Sequence, residues 1–337
     1  MVNPPGFASG YAVASNQFDG QRVMDNRCID GLDSLPPEIH GCVLTIGNFD
    51  GMHVGHRRII DMAVGLAAGR AAVVAMTFDP PPDLVLRPAD APLRVVPHAV
   101  KCRLLLEAGC NYVVTVASSI EMLSMTPDEF ARRIIVGAIG PRHMVEGPNF
   151  FFGRKRAGNI AALAEIGRRE GFEVHVAEPV HMELSDGVCL VSSTLIRRLV
   201  AQGRVDDAAT CLGRAFALYG RVVRGRGIGR LLEYPTANLQ LGDQVIPADG
   251  VYAGYAEVAG SRCAAAISVG SAPTFRLEAQ GQRTVEAYLL NGSGDLYDQD
   301  VALSFTHRLR EQRRYGSPEA LKAQMAKDVE QVRQLCQ

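Results

Sequence analysis

Short apolar runs alternate with amphipathic stretches from about residue 42 to residue 177, and this pattern restricts the fold more than any other feature of the sequence. Residues 42–46 (CVLTI) read as a buried strand, and 72–78 as a second one. Between them, 54–69 reads as a helix with Ile59, Ala63 and Leu66 on one face and Gly69 as its stop. Pro80, Pro81 and Pro82 predict a rigid loop without regular structure, because proline has no amide hydrogen to donate. The alternation then resumes with helices over 98–108, 127–138 and 159–170 and strands over 112–116, 143–146 and 173–177. Thr126 is a natural N-cap, with Pro127 in the first helical position. Strands separated by helices of this length predict a parallel, doubly wound α/β sheet, in which ligands sit beyond the carboxyl ends of the strands.

After about Arg214 the pattern changes. Strands are expected over 218–223, 250–258, 263–269, 284–290 and 300–306, separated by Gly-rich turns. One helix follows, from 318 to about 335, with Ser317 as N-cap and Leu321, Met325, Val329 and Val332 as its apolar stripe. This half predicts a small β-barrel or sandwich closed by a terminal helix. A chain of 337 residues can form two domains with separate cores. The division expected is a flexible extension over 1–25, a first domain over 26–200, a linker over 201–217 and a second domain over 218–337.

The formal net charge of -1 gives no global basic field, so a nucleic-acid partner is not expected. No apolar run approaches the roughly 20 residues of a membrane span, and residues 1–21 lack the basic start and apolar core of a signal peptide. The eight cysteines form no C-x-x-C pair, which fits reduced thiols in a cytoplasmic protein. Oligomeric state is left open, a homo-oligomer included.

Chemistry is concentrated between the first strand and the first helix, in TIGNFDGMHVGH (Thr45 to His56). His53 and His56 stand three apart at a helix mouth, where free amides and the helix dipole attract phosphate. Imidazoles there can donate hydrogen bonds to a phosphoryl oxygen as charge builds on it. Gly47, Phe49, Asp50 and Gly55 complete the candidate phosphate turn, with Asp50 able to orient a histidine or to help position Mg²⁺. A second candidate is SSTLIR, in which Ser193 and Thr194 open a helix and Arg197 adds a fork of donors one turn in. A third lies over 219–239 (YGRVVRGRGIGRLLEYPTANL). There Gly225 to Gly229 offer backbone amides to phosphates, and Thr236 and Asn238 supply neutral oxygens of the kind hard Mg²⁺ accepts. The Gly-Lys-Ser/Thr ending of a Walker A loop is absent.

GNFDGMHVGH, TFDPPP, GPNFFFGRKRAGN and SSTLIRRL together resemble the adenylyltransferase module of the bacterial bifunctional riboflavin kinase/FAD synthetase family. PTANL, PADGVYAG, SVGSAPTF, TVEAYLL, DLYD and LREQRRYGSPEALKAQMAKDV look like its riboflavin kinase module. The resemblance implies a Rossmann-like nucleotidyltransferase domain followed by a six-stranded Greek-key barrel. It implies phosphorylation of riboflavin by ATP to FMN, then adenylylation of FMN to FAD with release of pyrophosphate, both with Mg²⁺. By it, His53 and His56 would contact the ATP phosphates, and Gly47, Phe49 and Asp50 would line the nucleotide and flavin cleft. Ser193, Thr194 and Arg197 would hold phosphates, and Asn149 and Gly153 would border the flavin. Thr236 and Asn238 would bind Mg²⁺ and phosphates, Glu286 would be the general base on the ribityl hydroxyl, and Arg310 would lie near the flavin.

The chain departs from the family pattern at several positions. Pro81 stands where a histidine is usual, Asn149 where Asp is frequent, Arg224 where His is frequent and Glu233 where Gly is usual. Ser268 and Ser271-Ala272 replace an Asn-Ile-Gly-x-Arg-type stretch. Three alternatives therefore stay open at this point: an FAD synthetase with a silent kinase module, a non-catalytic flavin- or nucleotide-sensing protein, and a nucleotidyltransferase for another acceptor.

Overall fold

The computed structural model describes residues 26–224, 234–270, 283–290 and 296–336. Gly225, Gly229, Glu233, Ser271, Ala272 and the extension over 1–25 lie outside the described residues. The chain forms two compact units, and the first takes in Gly242–Ala248 together with the chain up to Phe216.

The first unit runs β1 (Cys28–Asp30), β2 (Val43–Ile46), α1 (Val54–Ala67), β3 (Val73–Phe78), α2 (Pro82–Leu86), α3 (His98–Glu107) and β4 (Tyr112–Val116). It continues with α4 (Ile120–Leu123), α5 (Pro127–Phe130), β5 (His143–Glu146), β6 (Phe151–Phe152), β7 (Gly158–Asn159), α6 (Ile160–Glu170) and β8 (Glu173–Val176). The hairpin β9 (His181–Leu184) and β10 (Gly187–Leu190) and two helices, α7 (Ser193–Ala201) and α8 (Val205–Leu212), complete it. Six parallel strands lie in the order β1-β4-β3-β2-β5-β8.

Alternate residues of the central strands bury against helices on opposite faces, as a parallel sheet requires. Leu44, Ile46, Val74, Met76, Val114 and Met144 pack with Ile135, Leu163 and Ile166 on one face. Val43, Val73, Ala75, Val113 and Val145 pack with Ile60, Ala63 and Leu105 on the other. Each Val, Leu, Ile or Met side chain among them contributes about 1.5–3 kcal/mol when fully buried.

Three local readings change. The triple proline does not exclude regular structure, because α2 begins at Pro82, where a missing amide hydrogen breaks no helical bond. The helix expected over 127–138 starts with a capping box between Thr126 and Glu129 and then widens into a π-helix over Ala131–Ile139. A Cβ at Gly137 would lie 2.7 Å from the carbonyl oxygen of Arg132, five residues back. The expected linker over 201–217 is mostly helix, since α8 buries Val205, Ala208, Cys211 and Leu212.

The second unit is a closed barrel of β11 (Phe216–Val223), β12 (Thr236–Leu241), β13 (Gly250–Val258), β14 (Ser261–Gly270), β15 (Thr284–Leu289) and β16 (Asp300–Arg310). The order around it is β11-β12-β15-β14-β13-β16, and closure leaves no strand edge free. β12 is absent from the expected strands; Pro235 precedes it, where its missing amide interrupts no ladder bond. The terminal helix α9 (Pro318–Leu335) matches the expected span, with Ser317 Oγ accepting from the Ala320 amide. Val329 and Val332 bury against Ala253 and Leu290.

Gly254 marks the tightest approach of β13 to β16, since a Cβ there would overlap the carbonyl oxygen of Ser304. Gly254→Ala is expected to lower the unfolding free energy by about 2 kcal/mol or more, measured by urea denaturation.

Candidate functional site

The turn from Ile46 to Val54 is backbone-strained. Phe49, Gly51 and Met52 have φ of 47°, 82° and 40°. Left-handed conformations cost non-glycine residues on the order of 1 kcal/mol or more, so the surroundings must hold them. They do so from several elements. The Ile46 amide donates to Glu146 Oε1 at 2.8 Å, and Thr77 Oγ1 donates to the Asn48 carbonyl at 3.4 Å. Arg214 donates to the carbonyls of Gly51 (2.7 Å) and Met52 (3.1 Å).

Asp50 is the centre of this framework. Its carboxylate accepts from the amides of Val95 (3.0 Å) and Val96 (3.3 Å) and from Arg197 Nη2 (2.7 Å). Its carbonyl accepts from Ser193 Oγ at 2.8 Å. Both carboxylate oxygens are thus engaged within the fold, and neither bonds to His53 or His56. Phe49 is likewise not a cleft-lining residue: it is 2% exposed, with its ring edge-on to His56 at 5.3 Å between centroids.

His53 is the N-cap of α1. Its Nδ1 accepts from the His56 amide at 3.2 Å, which puts the proton of the neutral ring on Nε2. The two imidazoles stack with centroids 3.6 Å apart and planes 16° from parallel. Gly55 permits this, since a Cβ there would lie 3.1 Å from the His53 ring. Burial first, and then the charge of Arg214, lowers His53 to about 4. Burial also holds His56 well below the ordinary histidine range, with smaller contributions from His53 and Lys101. Buried His56 Nδ1 has no hydrogen-bond partner among the described residues. At neutral pH the helix mouth therefore carries two uncharged imidazoles.

A pocket beside this turn is lined by Asn48, Asp50, Pro81, Arg94, Lys101 and Arg197, among others. Arg94 pairs with Asp79 and Asp243, both at 2.8 Å, and Arg197 also donates to the Leu93 carbonyl. Lys101 Nζ donates to the Phe78 carbonyl at 3.2 Å, and burial lowers its pKa to about 8. Three cations on one pocket suit a polyanionic ligand. Arg94, Lys101 and Glu146 were not singled out in the sequence, because they come from separate elements with no common spacing. Thr194 is exposed in the first turn of α7, and Asn149 is exposed in the loop after β5. Gly153 has φ 70°, and a Cβ there would lie 2.8 Å from Pro127 N, so close backbone packing requires glycine.

In the barrel unit the register brings three candidates together. Glu286 faces Asn238 on β12 and Ser268 on β14, and Thr236 lies two residues from Asn238 on the same face. Thr236 Oγ1 donates to Glu286 Oε2 at 3.3 Å, and Gln312 Nε2 donates to Ser268 Oγ at 2.8 Å. Leu239, Ile267, Val285 and Ala287 are buried between these positions, so the polar row lies on the outer face of the barrel. Arg310 is paired within the unit. Its Nε and Nη2 bind the Asp328 carboxylate at 2.9 and 2.6 Å, tying β16 to α9.

The sequence matches the FAD synthetase family over residues 35–194 and the riboflavin kinase family over residues 212–336. It is 36% identical over 311 residues to a bifunctional riboflavin kinase/FMN adenylyltransferase of Pseudomonas fluorescens, covering 91% of this chain and 97% of that protein. The protein of the same description from Escherichia coli K12 is 34% identical over 309 residues, covering 90% and 94%. A solved structure described as a macrolide-efflux protein from Streptococcus pneumoniae superposes with a TM-score of 0.80 at 29% identity, covering 91% of this chain and 99% of that one.

Two stability effects follow from these geometries. Arg310→Ala leaves Asp328, 4% exposed, without its ionic partner, and should lower the unfolding free energy by about 3 kcal/mol in urea denaturation. His53 titrates near 6.5 when unfolded and about 4 when folded, so the unfolded chain binds more protons in that window. Stability should decline as pH falls from 6.5 towards 4, and His53→Asn, which keeps a capping side chain, should flatten part of that decline.

Proposed function

The chain belongs to the bifunctional riboflavin kinase/FMN adenylyltransferase family, and from that membership we propose which of its residues carry each reaction. The two activities are ATP-dependent phosphorylation of riboflavin to FMN and transfer of AMP from ATP to FMN, yielding FAD and pyrophosphate.

Adenylyl transfer belongs to the first unit. An FMN phosphate oxygen attacks the α-phosphorus of ATP, and the bond to pyrophosphate breaks. Negative charge grows on the leaving group and on the α-phosphoryl oxygens. Neutral His53 offers its Nε2 hydrogen there, and the unpartnered Nδ1 of His56 is left for a substrate group. The amides at the start of α1 add to the same field. Lys101, Arg94 and Arg197 hold the polyphosphate, while Asp50 and Ser193 keep the turn in shape. The observation that carries this reading is the stacked, neutral His53–His56 pair at a helix mouth next to a cationic pocket.

Phosphoryl transfer belongs to the barrel. Glu286 takes the proton of the riboflavin terminal hydroxyl as that oxygen attacks the γ-phosphorus of ATP and the bond from that phosphorus to the leaving ADP breaks. The Thr236 hydroxyl bond fixes one carboxylate oxygen and leaves the other for substrate. Thr236, Asn238 and Glu286 present hard oxygen donors, which fit Mg²⁺. Bound there with the nucleotide, the ion would neutralise phosphate charge. At the first site Asp50 does not fit that task. We place both reactions in the cytoplasm, a reading supported by eight cysteines that form no disulfide. Among the described residues no helix is long and apolar enough to cross a membrane.

The test is product analysis after supplying ATP and Mg²⁺ with riboflavin or, separately, with FMN. His53→Asn should reduce FAD formation from FMN by about 100-fold or more and leave FMN formation intact. Glu286→Gln should reduce FMN formation by roughly 100-fold and leave FAD formation from FMN intact. Undiminished FAD synthesis by a folded His53→Asn protein would remove the imidazole from the mechanism. Undiminished kinase turnover by Glu286→Gln would remove Glu286 as base.

A further inference from the structure

We propose that His143, Glu173 and His175 form a binding site for one divalent transition-metal ion of the zinc class, separate from both reaction centres. The three residues meet across the parallel pair β5 and β8. His143 opens β5, and Glu173 lies beside it at the start of β8. His175 follows two residues later and so projects from the same face as Glu173.

Their donor atoms form a compact triangle. His143 Nδ1 lies 3.2 Å from His175 Nε2, and Glu173 Oε2 lies 3.6 Å and 3.7 Å from these two nitrogens. A triangle with sides of 3.2, 3.6 and 3.7 Å has a circumradius of about 2.0 Å, which is the length of zinc–imidazole and zinc–carboxylate bonds. An ion about half an ångström out of that plane keeps all three bonds and has room for a fourth ligand, water, on the open side. No backbone movement is needed.

The protein alone leaves this arrangement only partly satisfied. Two imidazole nitrogens facing each other at 3.2 Å attract only if one carries the shared proton; a metal ion replaces that proton and binds both lone pairs. The Glu173 side chain is 74% exposed, so ions can enter from solvent. Two imidazoles and one carboxylate select zinc, nickel or copper over magnesium, which takes oxygen ligands and keeps its waters.

The location explains what occupancy would change. Among the described residues β8 is an edge strand, with β5 as its one neighbour in the sheet. His143 is level with Val43 at the start of β2, whereas the phosphate turn leaves from Ile46 at its end. Three residues of strand separate the two levels by about 10 Å. The ion would clamp the edge strand without touching the reacting groups.

The test is titration of the full chain with Zn²⁺ in excess Mg²⁺ by calorimetry, and with Co²⁺ by absorption spectroscopy. We expect one saturable ion per chain, tetrahedral Co²⁺ absorption without thiolate charge transfer, and a higher thermal midpoint with Zn²⁺. His143→Ala and His175→Ala should each weaken binding by roughly tenfold or more and remove the Zn²⁺-dependent thermal shift, with both flavin activities retained. Glu173→Gln should weaken it less. No saturable binding, unaltered affinity in both histidine variants, or a cobalt spectrum showing cysteine ligation would each overturn the proposal.

Discussion

The carboxylate of Asp50 joins three stretches of chain that are far apart in sequence. Through it the phosphate turn accepts two amides from the loop before α3 and one guanidinium from α7. Hydrogen bonds to a charged group contribute about 1.5–3 kcal/mol each, enough together to offset left-handed backbone at Phe49 and Met52. The stacked histidines depend on that offset. If the turn relaxed, His53 would lose its capping position and His56 its contact with Phe49. Asp50 serves the chemistry at one remove, by fixing the shape in which the imidazoles are presented.

The barrel unit uses the same device in another form. Arg310 and Asp328 form a buried bidentate pair that ties α9 to β16. Ser268, Gln312 and Glu286 lie near this seam, on the outer face of the barrel. A closed barrel fixes register at every strand, so Thr236, Asn238, Glu286 and Ser268 cannot drift apart without breaking ladder bonds. Positioning is the main protein contribution to phosphoryl transfer, which makes a register-locked surface a suitable base for it. The solved structure described as a macrolide-efflux protein shares this architecture across nearly its whole length.

Burial does much of the electrostatic work at the first site. The histidines are kept uncharged mainly by removal from water, and the nearby cations add to the effect. Lys101 is lowered to about 8 by its own burial. The site therefore combines two neutral imidazoles at the helix mouth with three cations on the adjoining pocket. Pro81 lines the pocket together with Asn48, Arg94, Lys101 and Arg197.

Hydrophobic periodicity determined the two-part organisation, the parallel sheet and the terminal helix, because burial patterns of period 2 and 3.6 are local properties of the chain. The motif spacing likewise placed His53 and His56 at a helix mouth and Thr236 and Asn238 among the polar positions, while Glu286 came from the family resemblance. Other elements escaped that reading: β1, the β9–β10 hairpin, α8 and β12 are absent from the expected segments. Only the tertiary structure decided how side chains were used. Asp50 and Arg310 look free in sequence and are consumed by Arg197 and Asp328, while Arg94, Lys101 and Glu146 look ordinary and converge on the site. The reason is distance along the chain: the Asp50–Arg197 bond joins residues 147 positions apart, and no local pattern encodes which distant charge will meet which.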